Sequence, residues 1–399
     1  MKTPFLKKAL PHIVAILVFI IVAAIYCRPA LEGKVLQQHD IVSWKGMAQN
    51  TFEYKERNGH FPLWNTNLFS GMPNYQVTID GKSFLPDFHS VLTLGLPKPI
   101  SFFFLACLCF YILCQVLRLN YLVAILCSLA FAYCTYDPVI ISVGHESKMV
   151  AISYMPAVLA GLLLIYRKNY FSGLAVTAFF STWEIAYNHP QITYYLLVTI
   201  AIITIGFIVQ WIRAKEWKHT AIALTLAAIA AFTAFANCAI TLLTTREYAQ
   251  YTIRGGKTID INGSEIKKVK TEGLDLSYAF QYSFGISEFV TFLMPYSYGG
   301  SSGEVFEEDS KLVTALTEKN IPESNAVQLA SSLPKYWGGI QPSTSGPVYF
   351  GAIIFILAVI ALVVVKDAIR WWIFGAAVFA LFMSWGEYLP GFNTFLFNT

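Results

Sequence analysis

Ionisable side chains occur in short groups along a chain that is otherwise strongly apolar. Asp40 belongs to the first of these groups, Leu36-Gln-Gln-His-Asp-Ile-Val-Ser-Trp44, which follows the first long apolar stretch. A carboxylate at a membrane surface can take the proton from a hydroxyl that attacks a lipid-linked group. Asp also caps the first turn of helices. Two roles, general base and helix cap, are therefore open for Asp40, and they can coexist.

A second polar group lies between two apolar stretches, in the segment 137–149. Lys148 could meet a phosphate as a point charge. His145 and Glu146 could orient Asp40 or hold a divalent ion, so Asp40 and Glu146 are candidate ligands for Mg²⁺ or Mn²⁺. The alternative is a solvated turn with a local Glu–Lys pair.

A third polar group follows a later apolar stretch and contains Glu184, His189 and Gln191. An acid at this depth of a membrane is costly unless it is paired or hydrated. We therefore expect these residues to line the same outer cavity as Asp40. The alternative is that Glu184 only reaches the interface and that His189 is a turn residue.

The elements that position these groups are predicted to be membrane helices. Hydrophobic residues make up 56% of the chain and charged residues only 13%, which is typical of a polytopic membrane protein. Nine apolar stretches are long enough to cross a bilayer of about 30 Å, near 9–27, 100–117, 121–136, 150–166, 171–187, 191–212, 219–245, 348–365 and 371–385. The sequence predicts an all-α bundle of about nine spans.

Lys and Arg near the span ends predict the orientation, because they are retained on the cytoplasmic side. The basic clusters fall on one side if the N-terminus is cytoplasmic: Lys2, Lys7 and Lys8, Arg118, Arg167 and Lys168, Arg213, Lys215 and Lys218, Lys366 and Arg370. The net charge of +4 follows from this topology, so no nucleic-acid partner is inferred.

This topology divides the chain into three parts. Residues 1–245 form an N-terminal membrane bundle with a first outer loop, 28–99. Residues 246–347 form a second outer loop, expected to be a flap, and 348–399 contain the last spans. In the first outer loop, apolar residues recur every three or four positions from Ile41 to Phe52, which predicts an amphipathic helix lying on the membrane.

A stretch rich in Gly, Pro and Asn follows that helix and predicts a rigid, non-helical loop. Its Trp64 and Tyr75 could stack on a sugar ring, with Asn65 beside them as a substrate contact. Outer-surface Trp and Tyr also form ordinary interfacial belts, so both interpretations stay open.

Two arginines lie on the predicted outer side, although Lys and Arg near span ends are usually retained on the cytoplasmic side. Arg246 ends an apolar stretch and Arg254 follows it. Because a guanidinium binds phosphate through a planar fork of donors, we expect both to hold a lipid phosphate, together with Lys148. A surface pair between Arg246 and Glu247 is the alternative.

The order of these motifs resembles the YfhO family of bacterial membrane proteins, and the resemblance covers essentially the whole chain. The residues that carry it, beside Asp40, are Asn58-Gly-His-Phe-Pro-Leu-Trp-Asn65, Ser70-Gly-Met-Pro73, Gly144-His-Glu-Ser-Lys148, Asn188-His-Pro-Gln-Ile-Thr-Tyr-Tyr195, Arg246-Glu-Tyr248, Gly273-Leu-Asp-Leu-Ser-Tyr-Ala279, Tyr296-Ser-Tyr-Gly-Gly300 and Tyr336-Trp-Gly-Gly-Ile-Gln-Pro342.

The resemblance implies a GT-C-type glycosyltransferase, a helical bundle in the bacterial cytoplasmic membrane. Such an enzyme moves a sugar from a polyprenyl-phosphate donor to an acceptor of the cell envelope. It uses an acidic residue of its first outer loop as the base, which here is Asp40. Family members continue through further spans and a soluble outer domain, so a missing C-terminal region or a partner half is expected.

The mechanism that we expect is inverting transfer, with Asp40 as the base and with Arg246, Arg254 and Lys148 at the leaving phosphate. A lipid or polymer transporter is a second possibility, in which Glu184, His145 and Lys148 line a path. A third is a non-catalytic membrane scaffold whose outer loops bind a partner half.

Overall fold

The computed structural model describes residues 3–78, 86–255, 274–301, 304, 306–307, 309–341 and 346–398. Most of these residues are helical. In chain order the α-helices are α1 (Thr3–Tyr26), α2 (Arg28–Leu31), α3 (His39–Asn58), α4 (His89–Leu92), α5 (Ile100–Val116), α6 (Tyr121–Ala132), α7 (Tyr136–Val143), α8 (Glu146–Tyr166), α9 (Tyr170–Ala186), α10 (Pro190–Arg213), α11 (Trp217–Asn237), α12 (Ala239–Ala249), α13 (Leu276–Ala279), α14 (Lys311–Thr317), α15 (Glu323–Ser332), α16 (Ala352–Val364), α17 (Ile369–Ser384) and α18 (Pro390–Asn398).

Short elements complete the described structure. Two strands, β1 (Trp64–Asn65) and β2 (Met72–Pro73), pair antiparallel, with Trp64 opposite Pro73 and Asn65 opposite Met72. Single 3₁₀ turns span Asn74–Gln76, Ile253–Gly255, Glu288–Phe292 and Gly386–Tyr388. The Gly- and Pro-rich loop that was expected to be rigid and non-helical is this small hairpin and the turn after it.

Each of the nine predicted apolar stretches overlaps a helix, with 219–245 divided between α11 and α12, and the described chain is nearly all-α. Among the described residues, four helices are long and apolar enough to cross a membrane: α1 from Leu6, α8, α10 and α11. The bent pair α6–α7 would make a fifth if it is one span, while α5, α16 and α17 are shorter apolar helices. The protein therefore has helices suited to crossing a membrane, and the count of nine spans stays a prediction.

The segment 137–149, expected to be a polar turn, is mostly helical. Its first half belongs to α7, and only Gly144 and His145 separate α7 from α8. Asp137 is 1% exposed. The apolar run Val139 to Val143 explains the difference, because burying it requires its backbone to be hydrogen-bonded, and a helix does this locally.

The chain divides into two compact units. The first unit comprises Met1–Tyr133, Ile140–Asp275 and Leu362–Ala377, and the second comprises Cys134–Val139, Leu276–Ala361 and Val378–Thr399. All the side chains predicted from the sequence to act in chemistry belong to the first unit.

The first unit is built around α8. In α8, 72% of the most apolar window is buried, against 17% in α1 and in α10, and α8 packs on α5 and α9. The crossing with α9 is close: a Cβ on Gly161 would lie 2.5 Å from the backbone nitrogen of Thr177, and one on Gly173 would lie 2.5 Å from that of Ile165. Small residues let helix backbones approach in this way.

The amphipathic helix predicted in the first outer loop is α3. The indole of Trp44 donates to the carbonyl of Val77 at 2.8 Å, and Phe52 makes an edge contact with Phe61 at 5.6 Å between ring centres. Part of the apolar face that was expected to dip into lipid is therefore covered by the loop that follows α3.

The second unit contains a buried carboxylate. Glu288 is 0% exposed and accepts hydrogen bonds from the backbone of Gly285 and Gly339, from the Tyr336 hydroxyl and from the Gln341 amide. Burial, and then the bond to Glu288, raises the pKa of Tyr336. This network stabilises the non-helical part of the unit.

Candidate functional site

The start of α3 is docked on the turn between α7 and α8. Gln38, which is buried, donates its side-chain amide to the carbonyl of Ile141. Gly144 has φ +105°, and a Cβ there would lie 3.2 Å from Cβ of Asp40 and 3.1 Å from Cγ1 of Ile41. Glycine is needed at this position both for the positive φ and for the close approach of α3.

This docking brings two predicted residues together. Nε2 of His145 lies 2.9 Å from Oδ2 of Asp40, and the two side chains are 46% and 49% exposed. An ionised carboxylate only accepts hydrogen bonds, so Nε2 is the donor. Solvent, or a substrate hydroxyl, can still reach the carboxylate of Asp40.

Asp40 is not the N-cap of α3. The N-cap residue is Gln38, and no side-chain capping bond is formed. Asp40 lies in the first turn, where its negative charge interacts favourably with the helix dipole. Asp40 therefore does not cap α3, and its carboxylate contacts His145 instead.

Glu146 faces a different partner. Its carboxylate forms an ion pair with the ammonium of Lys98, and its side chain is 22% exposed. Among the described residues no three His, Cys, Asp or Glu side chains are grouped to hold a metal ion. Asp40 contacts His145 and Glu146 contacts Lys98, so the expected divalent cation stays a prediction, and no step below uses one.

His189 and Lys148 lie close enough to His145 to influence one another. Lys148 is half-buried in the first turn of α8, and His189 immediately precedes α10. Burial lowers the pKa of His189 to about 4, and the positive charges of Lys148 and His145 add to the effect. His145, Lys148 and His189 are therefore near one another, and His189 is uncharged at neutral pH.

Glu184 is 1% exposed, near the end of α9. Both of its carboxylate oxygens accept from the hydroxyl of Thr193 on α10, at 3.0 and 3.1 Å. The prediction that Glu184 merely reaches the interface therefore does not fit. Its carboxylate links α9 to α10 just below the turn that carries His189.

Sequence reasoning missed a further histidine, His89, in the same unit. Nδ1 of His89 is 2.8 Å from the hydroxyl of the fully buried Tyr154, and its ring centre is 4.8 Å from that of Tyr187. Burial lowers the pKa of His89 to about 4, with Lys98 adding to the shift and Asp87 opposing it. One sequence feature could have drawn attention to this region. Lys98, which influences His89, is a cation on the predicted outer side, and, like Arg246 and Arg254, it runs against the usual charge bias.

The two arginines lie elsewhere in the same unit. Arg246 is exposed on α12 and Arg254 is exposed in the 3₁₀ turn after it. No ion pair of either guanidinium, including the expected one between Arg246 and Glu247, and no contact with Asp40 occurs among the described residues. The first outer loop contacts α12 through Tyr75, whose hydroxyl donates to the carbonyl of Thr244 at 3.1 Å.

The remaining predicted residues are also outside the Asp40 group. Asn65 is fully buried, and its side chain bonds to Met47 and Asn67, so it stabilises the hairpin. Trp64 is 53% exposed and can still present a ring face. Gln191 donates to the hydroxyl of Tyr195 on its own helix at 2.6 Å.

The assembled group can therefore do two things chemically. Asp40 can accept a proton from a hydroxyl, because its carboxylate is half-exposed and oriented by His145. Lys148, with His189 beside it, can interact with an anion. Comparison of the chain with protein-family models, with curated proteins and with solved structures finds no significant match.

Proposed function

We propose that the protein is a membrane glycosyltransferase of the GT-C type that transfers a sugar from a polyprenyl-phosphate donor to a hydroxyl of a cell-envelope acceptor, with inversion. The observation that carries the proposal is the half-exposed carboxylate of Asp40, held by His145 at the end of the helices where Lys148 and His189 lie. A base and an anion-binding cation at one end of a membrane bundle suit this reaction.

The leaving phosphate is the second element of the proposal. Negative charge grows on it as the bond to the sugar breaks, so a nearby cation lowers the barrier. Lys148 is the cation that we assign to this phosphate, because it lies in the first turn of α8, three residues after His145, the partner of Asp40. Arg246 and Arg254 are exposed, and we assign them to a later contact with the donor or acceptor.

Location and partners complete the proposal. The apolar helices accommodate the polyprenyl tail in membrane lipid, and the resemblance to the YfhO family supports the bacterial cytoplasmic membrane with the site facing outward.

The test is replacement of Asp40 by Asn, which keeps the shape but cannot take the proton. The assay follows release of polyprenyl phosphate from labelled polyprenyl-phosphate hexoses in membranes that contain the acceptor. We expect transfer to fall by about 10²- to 10⁴-fold, the usual contribution of a general base. Glu53→Gln is the matched control, since Glu53 is an exposed carboxylate of the same helix.

Expression and membrane insertion are measured in parallel, and both should be unchanged in the two variants. An Asp40→Asn protein that transfers sugar as fast as the wild type would refute the glycosyltransferase proposal. If deletions in the outer loops abolish sugar transfer while Asp40→Asn has no effect, a non-catalytic membrane scaffold is favoured instead.

A further inference from the structure

We infer that His145 is a positioning residue for the base, so that Asp40 and His145 act as one unit. The inference rests on the proposed function, because it concerns how Asp40 accepts the proton. It assigns to His145 a role that differs from binding the substrate or a metal.

The first support is the asymmetry of the contacts to Asp40. Oδ2 is 2.9 Å from Nε2 of His145, whereas Oδ1 is 3.6 Å from Nδ1 of His39. The longer separation is beyond hydrogen-bond distance, and His39 is 90% exposed. One oxygen is therefore occupied by His145, and the other is left for an acceptor hydroxyl.

The second support is that the contact is fixed by the backbone on both sides. The Gln38 side chain binds the carbonyl of Ile141, and Gly144 lies so close to α3 that an added Cβ would be 3.2 Å from Cβ of Asp40. His145 follows Gly144 directly, so the docking of α3 on this turn also places the His145 ring next to Asp40. A base held this way spends little free energy on orientation during the reaction.

The chemical step balances with these groups alone. The acceptor O–H bond breaks, and its proton passes to Oδ1 of Asp40. The acceptor oxygen bonds to the anomeric carbon, the bond from that carbon to the phosphate oxygen breaks, and its electron pair stays on the polyprenyl phosphate. Nε2–H of His145 stays bonded to Oδ2 throughout and fixes the plane of the carboxylate.

The experiment compares His145→Ala and His145→Gln in the polyprenyl-phosphate release assay. Loss of orientation in the alanine variant should lower kcat on the order of 10²-fold, with the donor KM unchanged. Glutamine carries an N–H donor at similar reach, so His145→Gln should recover most of the rate. His60→Ala is the control, because His60 is an exposed histidine beyond the other end of α3.

A double-variant cycle separates positioning from an independent role. If His145 acts only through Asp40, adding His145→Ala to Asp40→Asn should cause no further loss. A multiplied loss, a change confined to donor KM, or a glutamine variant as slow as alanine would overturn the inference. Should the alanine variant fail to insert, His145→Phe, which keeps a ring without the donor, takes its place.

The two proposals fail in different ways. A wild-type rate in His145→Ala together with an inactive Asp40→Asn would refute the positioning role and leave the glycosyltransferase proposal standing. A wild-type rate in Asp40→Asn would refute both.

Discussion

Single residues of the site differ in whether their chemistry can be read from sequence. Asp40, His145, Glu146 and Lys148 were predicted from residue type and spacing, and His145 was one of two residues expected to orient Asp40. The partner of Glu146 was not predicted, because Lys98 lies in a different loop and no periodicity links the two positions. The residue types and one pairing were therefore predictable, whereas the pairing of Glu146 with an ammonium depends on how loops converge.

The lowered pKa of His189 leads to a testable prediction about how the stability of the protein depends on pH. Its pKa in the folded protein is lowered to about 4, first by burial and then by Lys148 and His145, whereas a free imidazole titrates near 6.5. Between these values the unfolded chain binds more protons than the folded protein, so stability falls as the pH falls through that window. His189→Gln removes this contribution.

The measurement is the melting temperature of the purified protein in detergent from about pH 7 down to about pH 4. The variant should lose less stability than the wild type on acidification. Some loss should remain, because the pKa of His89 is also lowered to about 4. Identical pH profiles for variant and wild type would contradict the prediction.

Helix packing determines how rigidly the residues of the site are held in position. The turn that carries His145 precedes α8 and the turn that carries His189 follows α9, and these two helices pack closely at Gly161 and Gly173. In the sequence these two glycines stand out from no others. Their importance arises only from the crossing point, which is why the sequence predicted the helices and not this contact.

Gly161→Ala should therefore destabilise the bundle. The added methyl would lie 2.5 Å from the backbone nitrogen of Thr177, and overpacking of this kind costs about 1–3 kcal/mol. Gly375→Ala is the matched control, because Gly375 is also within a helix and has no atom within 4 Å of the added Cβ. Melting of the two variants in detergent should differ clearly. Equal melting temperatures would show that α8 and α9 do not cross this closely.

For the whole molecule, apolar patterning predicted where the helices lie, since all nine stretches overlap helices. It did not predict the division into two units, which joins segments as distant as Cys134–Val139 and Val378–Thr399. Nor did it predict that the exposed residues Arg246 and Arg254 would both lie apart from Asp40. Local hydrophobicity determines elements one at a time, while the grouping of elements depends on tertiary contacts.

Orientation is the remaining prediction at this scale, and it follows from the basic residues near the ends of the apolar helices. In a variant without its seven native cysteines, single cysteines at Lys34 and Glu307 should react with a membrane-impermeant thiol reagent in intact cells. Cysteines at Arg118 and Lys215 should react only after permeabilisation. All four positions are exposed, so a lack of reaction reports the side of the membrane and not burial. Labelling of Lys215→Cys in intact cells would contradict the predicted orientation. Asp40 would then lie on the cytoplasmic side, away from the proposed acceptor.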